Sequence, residues 1–269
     1  SNNPYGSPST RRSEWSKPLG VKELDGQRTT ELLLFVGCAG SYDSRAKKIV
    51  ASLASVLRAA GVEFAILGNK EKCCGDTARR MGNEYLFQTL AKENIETLNK
   101  YGVKRIVTIC PHCYNTLKNE YPIFGGNYEV IHHSQLILDM LKDGGLKPVK
   151  RIAQLTTYHD ACYLGRYNTI YDEPRQIIRS VSGIKLLEMR RNRNRGLCCG
   201  AGGGRVWMQE EVGKRINIER TEQALSLNID LIVTACPYCL TMFQDGLNLV
   251  GTDRPVRVLD LAELVSEAL

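Results

Sequence analysis

Leu32-Leu33-Leu34-Phe35-Val36 is an unbroken apolar run ending at Gly37-Cys38, the pattern of a strand buried on both faces. Beyond it, Ile49, Leu53, Val56 and Leu57 recur at three- and four-residue steps. That spacing predicts an amphipathic helix over 45–60, closed by Gly61. Further apolar runs predict strands at 64–67, 105–109 and 128–131. A long helix is expected through residue 101, capped by Asp76 or Thr77 and ended by Gly102. Cys110-Pro111-His112-Cys113 opens another helix, with proline suited to the first turn, and 134–142 forms a last one, stopped by Gly144-Gly145. The second half repeats the order. Strands are expected at 155–159, 184–187, 231–235 and 256–259, and helices at 174–181, 207–225, 236–243 and 260–268. Strands alternating with helices predict an α/β fold with a mainly parallel sheet covered by helices on both faces.

The halves match in residues as well as in order. Cys38, Cys73-Cys74-Gly75 and Cys110-Pro111-His112-Cys113 are answered by Cys162, Cys198-Cys199-Gly200 and Cys236-Pro237-Tyr238-Cys239, at offsets of 124, 125 and 126 residues. All ten cysteines fall in this pattern. The flanks repeat too: Asn94-Ile95-Glu96 matches Asn217-Ile218-Glu219, and Ile106-Val107-Thr108 matches Ile232-Val233-Thr234. An internal duplication of a whole structural unit follows. The expected division is a first repeat over 29–147 and a second over 148–269. Residues 1–28, polar and holding Pro4, Gly6, Pro8, Pro18 and Gly20, read as an extended arm or linker that Trp15 could pin to the body.

Composition narrows the class. A chain of 269 residues with 43% hydrophobic content suits two ordinary soluble domains. No run approaches the roughly 18 apolar residues of a membrane helix. The chain begins Ser1-Asn2-Asn3-Pro4 without Met, as a fragment or processed piece would. The net charge is +7, densest at Arg190-Arg191-Asn192-Arg193-Asn194-Arg195. That run reads either as a docking patch for an acidic redox partner or as a solvated loop. No basic stripe with interleaved aromatics points to nucleic acid. Adjacent cysteines make strained disulfides, so free thiols are expected, in a reducing compartment: the cytoplasm or the cytoplasmic face of a membrane.

Each cysteine group follows a predicted strand, and that edge of an open α/β sheet is where ligands bind. Five thiols per half can therefore converge from three loops, and converging thiolates need a cation. Iron-sulfur clusters take Cys thiolates, commonly four. Zinc held by four thiolates is the alternative, but a zinc ribbon places its second CxxC roughly 15 to 20 residues on, whereas 122 residues separate Cys113 from Cys236. Zinc also gives a fifth cysteine no task.

The doubled motif resembles the cysteine-rich CCG domain family over about residues 30–269. That family includes the B and D polypeptides of heterodisulfide reductase and iron-sulfur components of glycolate, lactate and anaerobic glycerol-3-phosphate oxidising enzymes. The resemblance implies two Rossmann-like lobes related by a pseudo-two-fold duplication. It also implies a [4Fe-4S] cluster in one or both halves, of noncubane form in the heterodisulfide reductase branch, with zinc in one half as the alternative. The metal-ligating residues would be Cys38, Cys73, Cys74, Cys110 and Cys113, and Cys162, Cys198, Cys199, Cys236 and Cys239. Asn3-Pro4-Tyr5-Gly6, Ala78-Arg79-Arg80-Met81-Gly82-Asn83-Glu84-Tyr85, Tyr163-Leu164-Gly165-Arg166-Tyr167 and Ala201-Gly202-Gly203-Gly204-Arg205 are similar to the C-terminal part of membrane-associated oxidoreductases paired with electron-transfer flavoprotein. In those, a ferredoxin-like segment precedes this part. The implied role is electron relay between a flavoprotein and a quinone-reducing or other redox partner, with disulfide reduction at a cluster as the runner-up and a zinc-stapled interaction domain as the third reading.

Weaker signals remain. Gly75, Gly200, Gly202 and Gly203 read as backbone freed to approach a cluster, with amides donating to sulfur, and Arg205 either offsets cluster charge or forms a surface salt bridge. A dinucleotide loop is disfavoured because Arg205 replaces the last glycine. His112 faces Tyr238 in the repeat and is not needed as a ligand. His132 and His133 read as structural. His159 and Asp160, just before Cys162, read as packing or capping groups, with proton relay as the sharper alternative.

Overall fold

Leu33, Leu34 and Phe35 are fully buried and form β1 (Leu33–Phe35). The computed structural model describes residues 3–26, 30–208, 210, 212–252 and 254–269. The chain divides into two units, Ser1–Leu136 and Ile137–Leu269. The first continues with α1 (Gly37–Tyr42), α2 (Ala46–Ala59), α3 (Asp76–Arg80), α4 (Glu84–Lys100), β2 (Arg105–Thr108), α5 (Pro111–Asn115), β3 (Glu129–His132) and the start of α6 (His133–Lys142). Its sheet is parallel, in the order β1-β2-β3, with Leu33 opposite Ile106 and Ile106 opposite Val130. In α2 the residues at helical spacing, Ile49, Leu53, Val56 and Leu57, are the buried stripe.

Three expectations are corrected in this unit. The strand at 64–67 reduces to single parallel bridges, Ala65 with Leu33 and Ile66 with Glu23, because a 3-10 turn at Gly68–Lys70 bends the chain away. The helix expected up to residue 101 is two helices, α3 and α4. Gly82 takes left-handed backbone (φ 85°), and Asn83 restarts the helix by accepting from the Leu86 amide. The arm is not extended. Residues Ser9–Arg11 and Glu14–Leu19 form 3-10 turns, and Trp15 and Arg12 are buried. Residues 1, 2, 27 and 28 of that arm lie outside the described residues.

The second unit contains β4 (Leu155–Tyr158), α7 (Cys162–Gly165), α8 (Asp172–Ser180), β5 (Lys185–Leu187), α9 (Ile216–Leu225), β6 (Leu231–Thr234), α10 (Pro237–Val250), β7 (Arg257–Asp260) and α11 (Leu261–Ala268). Its sheet is again parallel, in the order β5-β4-β6-β7. Both units are thus mixed α/β with parallel sheets. The helix expected over 207–225 is a correction: a 3-10 turn at Arg205–Trp207 is followed by non-helical chain, and α9 begins only after Gly213 in left-handed backbone. Gln209 and Glu211 of that stretch lie outside the described residues. The helix expected to stop at residue 243 runs on to Val250, past Gly246, where a side chain would collide with Thr221 of α9.

Asp260 ends β7 and caps α11. Its carboxylate accepts from the Ala262 amide at 2.9 Å, while Glu263 accepts from the Asp260 amide at 2.9 Å, a reciprocal capping box. Asp260→Ala is expected to destabilise the second unit by about 0.5–2 kcal/mol, read as a lower urea midpoint at unchanged slope.

Candidate metal centre

The strand ends deliver the cysteines. Cys38 lies in the first turn of α1, just past β1, and Cys162 opens α7 just past β4. Cys110 and Cys236 are the N-cap residues of α5 and α10, each followed by a proline in the first turn, as the proline's fixed φ and missing amide favour. The Cys-Cys-Gly segments lie in the longer loops beyond Ile66 and β5. Gly75 and Gly200 both adopt φ 94°. In that shape each glycine amide turns back onto the first sulfur of its pair, Gly75 N–H to Cys73 Sγ at 3.4 Å and Gly200 N–H to Cys198 Sγ at 3.3 Å. A side chain at Gly75 would also meet Phe87 at 2.6 Å.

All ten cysteines are free thiols, and in each unit they hydrogen-bond in a row. In the first the row is Cys38, Cys73, Cys74, Cys113, Cys110. In the second it is Cys162, Cys198, Cys199, Cys239, Cys236. Equivalent members of the repeat follow one another in the same order in both rows. One thiol in each row is shifted down. Hydrogen bonds from Cys113 and Cys73 bring the Cys74 thiol down to about 7, and those from Cys162 and Cys199 hold Cys198 far below the usual thiol range. Cys38, hydrogen-bonded to Cys73 and buried, keeps its proton well above that range.

The surroundings differ between units. In the first, all five sulfurs are buried. Asn94 donates to the Cys73 carbonyl at 2.9 Å and to Tyr121 Oη at 3.1 Å, while Tyr121 donates to the Cys74 carbonyl at 3.1 Å. His112 meets Asp76 at 2.9 Å, so it braces α3 against α5. Arg12 donates to Cys38 Sγ at 3.3 Å. Nothing in the local spacing of the sequence pointed to Arg12, which lies 26 residues from the sulfur it touches.

In the second unit Cys162 and Cys198 are only half-buried. His159 is buried where the repeat places Phe35 in the first unit. A ring nitrogen of His159 and the sulfurs of Cys199 and Cys239 lie within 4.8 Å of one another. Arg220 Nε donates to His159 Nδ1 at 3.2 Å. A guanidinium can only donate, so Nδ1 accepts and the imidazole proton sits on Nε2. Burial, and then the Arg220 charge, hold His159 neutral, well below its usual range. Asp160 accepts both terminal nitrogens of the buried Arg175, at 2.7 and 2.9 Å, and the Arg193 amide at 2.7 Å. This ties the end of β4 to the loop leading to Cys198. The departure of His159 from the apolar repeat was the sequence signal for this corner.

The remaining glycines and Arg205 have more open surroundings. A side chain at Gly202 or Gly203 would meet nothing within 4 Å. Arg205 is exposed and pairs with Glu210 at 3.3 Å, the surface salt bridge. Among the described residues no helix is long and apolar enough to cross a membrane.

The donor set fits an iron-sulfur group. Each unit offers five soft sulfur ligands in one unbroken row, one more than tetrahedral zinc takes, with amide N–H groups aimed at sulfur, a known lever on such groups.

Comparison with known proteins agrees. The model of the CCG cysteine-rich domain matches residues 32–118 and 156–244. The chain is 48% identical over 274 residues to a probable iron-sulfur-binding oxidoreductase, FadF, of Bacillus subtilis (strain 168), covering 99% of this chain and 39% of that protein. It is 45% identical over 280 residues to the EtfAB:quinone oxidoreductase of Syntrophomonas wolfei, covering 99% and 39%. It is 34% identical over 273 residues to the D polypeptide of the dihydromethanophenazine:CoB--CoM heterodisulfide reductase of Methanosarcina barkeri (strain Fusaro), covering 99% and 65%. The chain thus spans about two-fifths of the length of the first two relatives.

Proposed function

The chain belongs to the cysteine-rich CCG domain family, and on that premise we propose that it is the iron-sulfur electron-transfer module of a larger oxidoreductase. It relays electrons between a flavoprotein of the electron-transfer-flavoprotein type and a quinone-reducing or other redox partner, at the cytoplasmic face of a membrane or in the cytoplasm. The observation that carries this reading is the pair of five-sulfur rows built to one plan. Cys38, Cys73, Cys74, Cys110 and Cys113 hold one [4Fe-4S] group, and Cys162, Cys198, Cys199, Cys236 and Cys239 a second, each within a Rossmann-like lobe of the duplication (29–147 and 148–269). When bound, such a group stores and releases single electrons. Around it the chain supplies sulfur ligands, the Gly75 and Gly200 amides that donate to them, and the burial that excludes water from the first unit. The relatives named as an EtfAB:quinone oxidoreductase and as a probable iron-sulfur-binding oxidoreductase support the assignment of partners. A ferredoxin-like domain of the full protein is the third redox partner.

A second reading, reduction of a disulfide substrate, is favoured by one observation: Cys162 and Cys198 are only half-buried, whereas all five cysteines of the first unit are buried. Likeness to the heterodisulfide reductase polypeptide supports it. Anaerobic purification with iron and acid-labile sulfide counts, followed by EPR of oxidised and reduced protein, tests the assignment. Each loaded unit should give about four of each atom. Zinc without sulfide would overturn both readings, and turnover of a thiol-disulfide substrate by the reduced protein would select the second.

A further inference from the structure

Arg12 is the one guanidinium seen donating to a cysteine sulfur among the described residues, and it comes from outside the matched CCG region, which begins at residue 32. It is only 2% exposed. Nη2 donates to Cys38 Sγ at 3.3 Å, and Nη1 to Glu71 Oε1 at 2.7 Å and Ser41 Oγ at 3.4 Å. The guanidinium also lies 5.2 Å from the centre of the Tyr42 ring. Glu71 in turn accepts the Val36 and Gly37 amides, each at 2.9 Å. The carboxylate therefore anchors the turn that carries Cys38, and Arg12 bridges that anchor to the sulfur. Tyr5 and Tyr42 pack over Cys38 and Cys73 from outside. In the second unit no guanidinium donates to Cys162, the equivalent sulfur, among the described residues, and Cys162 is half-buried.

We propose that Arg12 is a positioning residue for the first unit's iron-sulfur group, and that its hydrogen bond to Cys38 raises the reduction potential there. The inference rests on the cluster assignment above. A centre that accepts one electron from an outside donor gains one negative charge, most of it shared with its sulfurs. A fixed cation in a buried site stabilises that reduced form more than the oxidised one. Glu71 and the surrounding burial act in the opposite sense, but the guanidinium stands between Glu71 and the sulfur and donates to it directly. The folded N-terminal segment is thereby part of the centre, and the two units, alike in their sulfur rows, would differ in potential.

The test uses the full chain, loaded with iron and sulfide, in an EPR-monitored redox titration. Three variants are compared with the parent: Arg12→Lys, Arg12→Gln, and Arg12→Gln with Glu71→Gln, which avoids leaving a buried carboxylate unpaired. Iron content should stay at the parent's level. One transition should move to lower potential, by tenfold or more in the reduction equilibrium for Arg12→Gln, which is about 59 mV for one electron. The shift should be smaller but of the same sign in the double variant, and any second transition should stay in place. An unmoved transition with iron retained overturns the proposal, as does an equal shift of both transitions. Loss of iron in all three variants also overturns it, making Arg12 a folding residue. A parent protein that takes up no iron or sulfide is a different failure, that of the cluster assignment itself.

Discussion

Cys199→Ala is expected to strip the second unit of iron while the first stays loaded, so that total iron and sulfide fall by roughly half if each unit binds one cluster. Cys199 is the middle member of its row, hydrogen-bonded to Cys198 on one side and Cys239 on the other. Alanine there leaves two separated thiol pairs, Cys162 with Cys198 and Cys239 with Cys236. The mirror variant, Cys74→Ala, should empty the first unit by the same logic, and the two together should abolish iron binding. Iron and sulfide analysis of anaerobically loaded protein gives the stoichiometry, and EPR shows which signal survives. Retention of full iron in the double variant would remove the ligand assignment. A variant at the end of a row, such as Cys162→Ala, asks a different question: whether four thiols suffice, as for a cubane cluster, or all five are needed.

Arg175→Met should cost the second unit about 3–5 kcal/mol, the range for breaking a buried ion pair from one side. Arg175 is fully buried. It grips Asp160 with two nitrogens, Glu188 with two more contacts at 2.7 and 2.8 Å, and the Tyr171 carbonyl at 2.7 Å. It also lies 5.1 Å from the centre of the Tyr158 ring. Methionine fills much of the volume but leaves the buried Asp160 carboxylate with the Arg193 amide as its remaining donor among the described residues. The denaturation midpoint of the second unit should fall sharply. Because Asp160 ties β4 to the loop that leads to Cys198, iron retention there should weaken too, while the first unit's signal is unchanged. The double variant Arg175→Met with Asp160→Asn should recover part of the stability, since it removes the stranded charge.

The grouping of five thiols in each half was legible in the chain, because duplication repeats each cysteine with its flanks and leaves none over, whereas their order in a row was not. Parallel strands were legible because Leu33, Ile106 and Ile232 sit in short, mostly apolar runs. Helix ends were less so. The break at Gly82 looks like an isolated glycine inside a helical pattern, and only the left-handed backbone there, with Asn83 ready to cap, turns it into a stop. Arg12 had no signal at all: one of two adjacent arginines, Arg11-Arg12, in a segment rich in proline and glycine reads as a solvated charge. Its partners Cys38 and Glu71 lie 26 and 59 residues away, a separation no local rule spans. His159 lay between these cases. Comparing it with Phe35 shows where one copy of the unit departs from the other, although the Arg220 contact that fixes its tautomer is visible only in the fold.

The close crossing at Gly246 has a mechanical consequence. Helix α10 is a stiff rod of 14 residues, about 21 Å long at 1.5 Å per residue, with Cys236 and Cys239 at its head and the bare glycine against Thr221 further along. A methyl group inserted at that fulcrum would tilt the rod and swing its head, so damage to iron retention can originate well away from any sulfur atom.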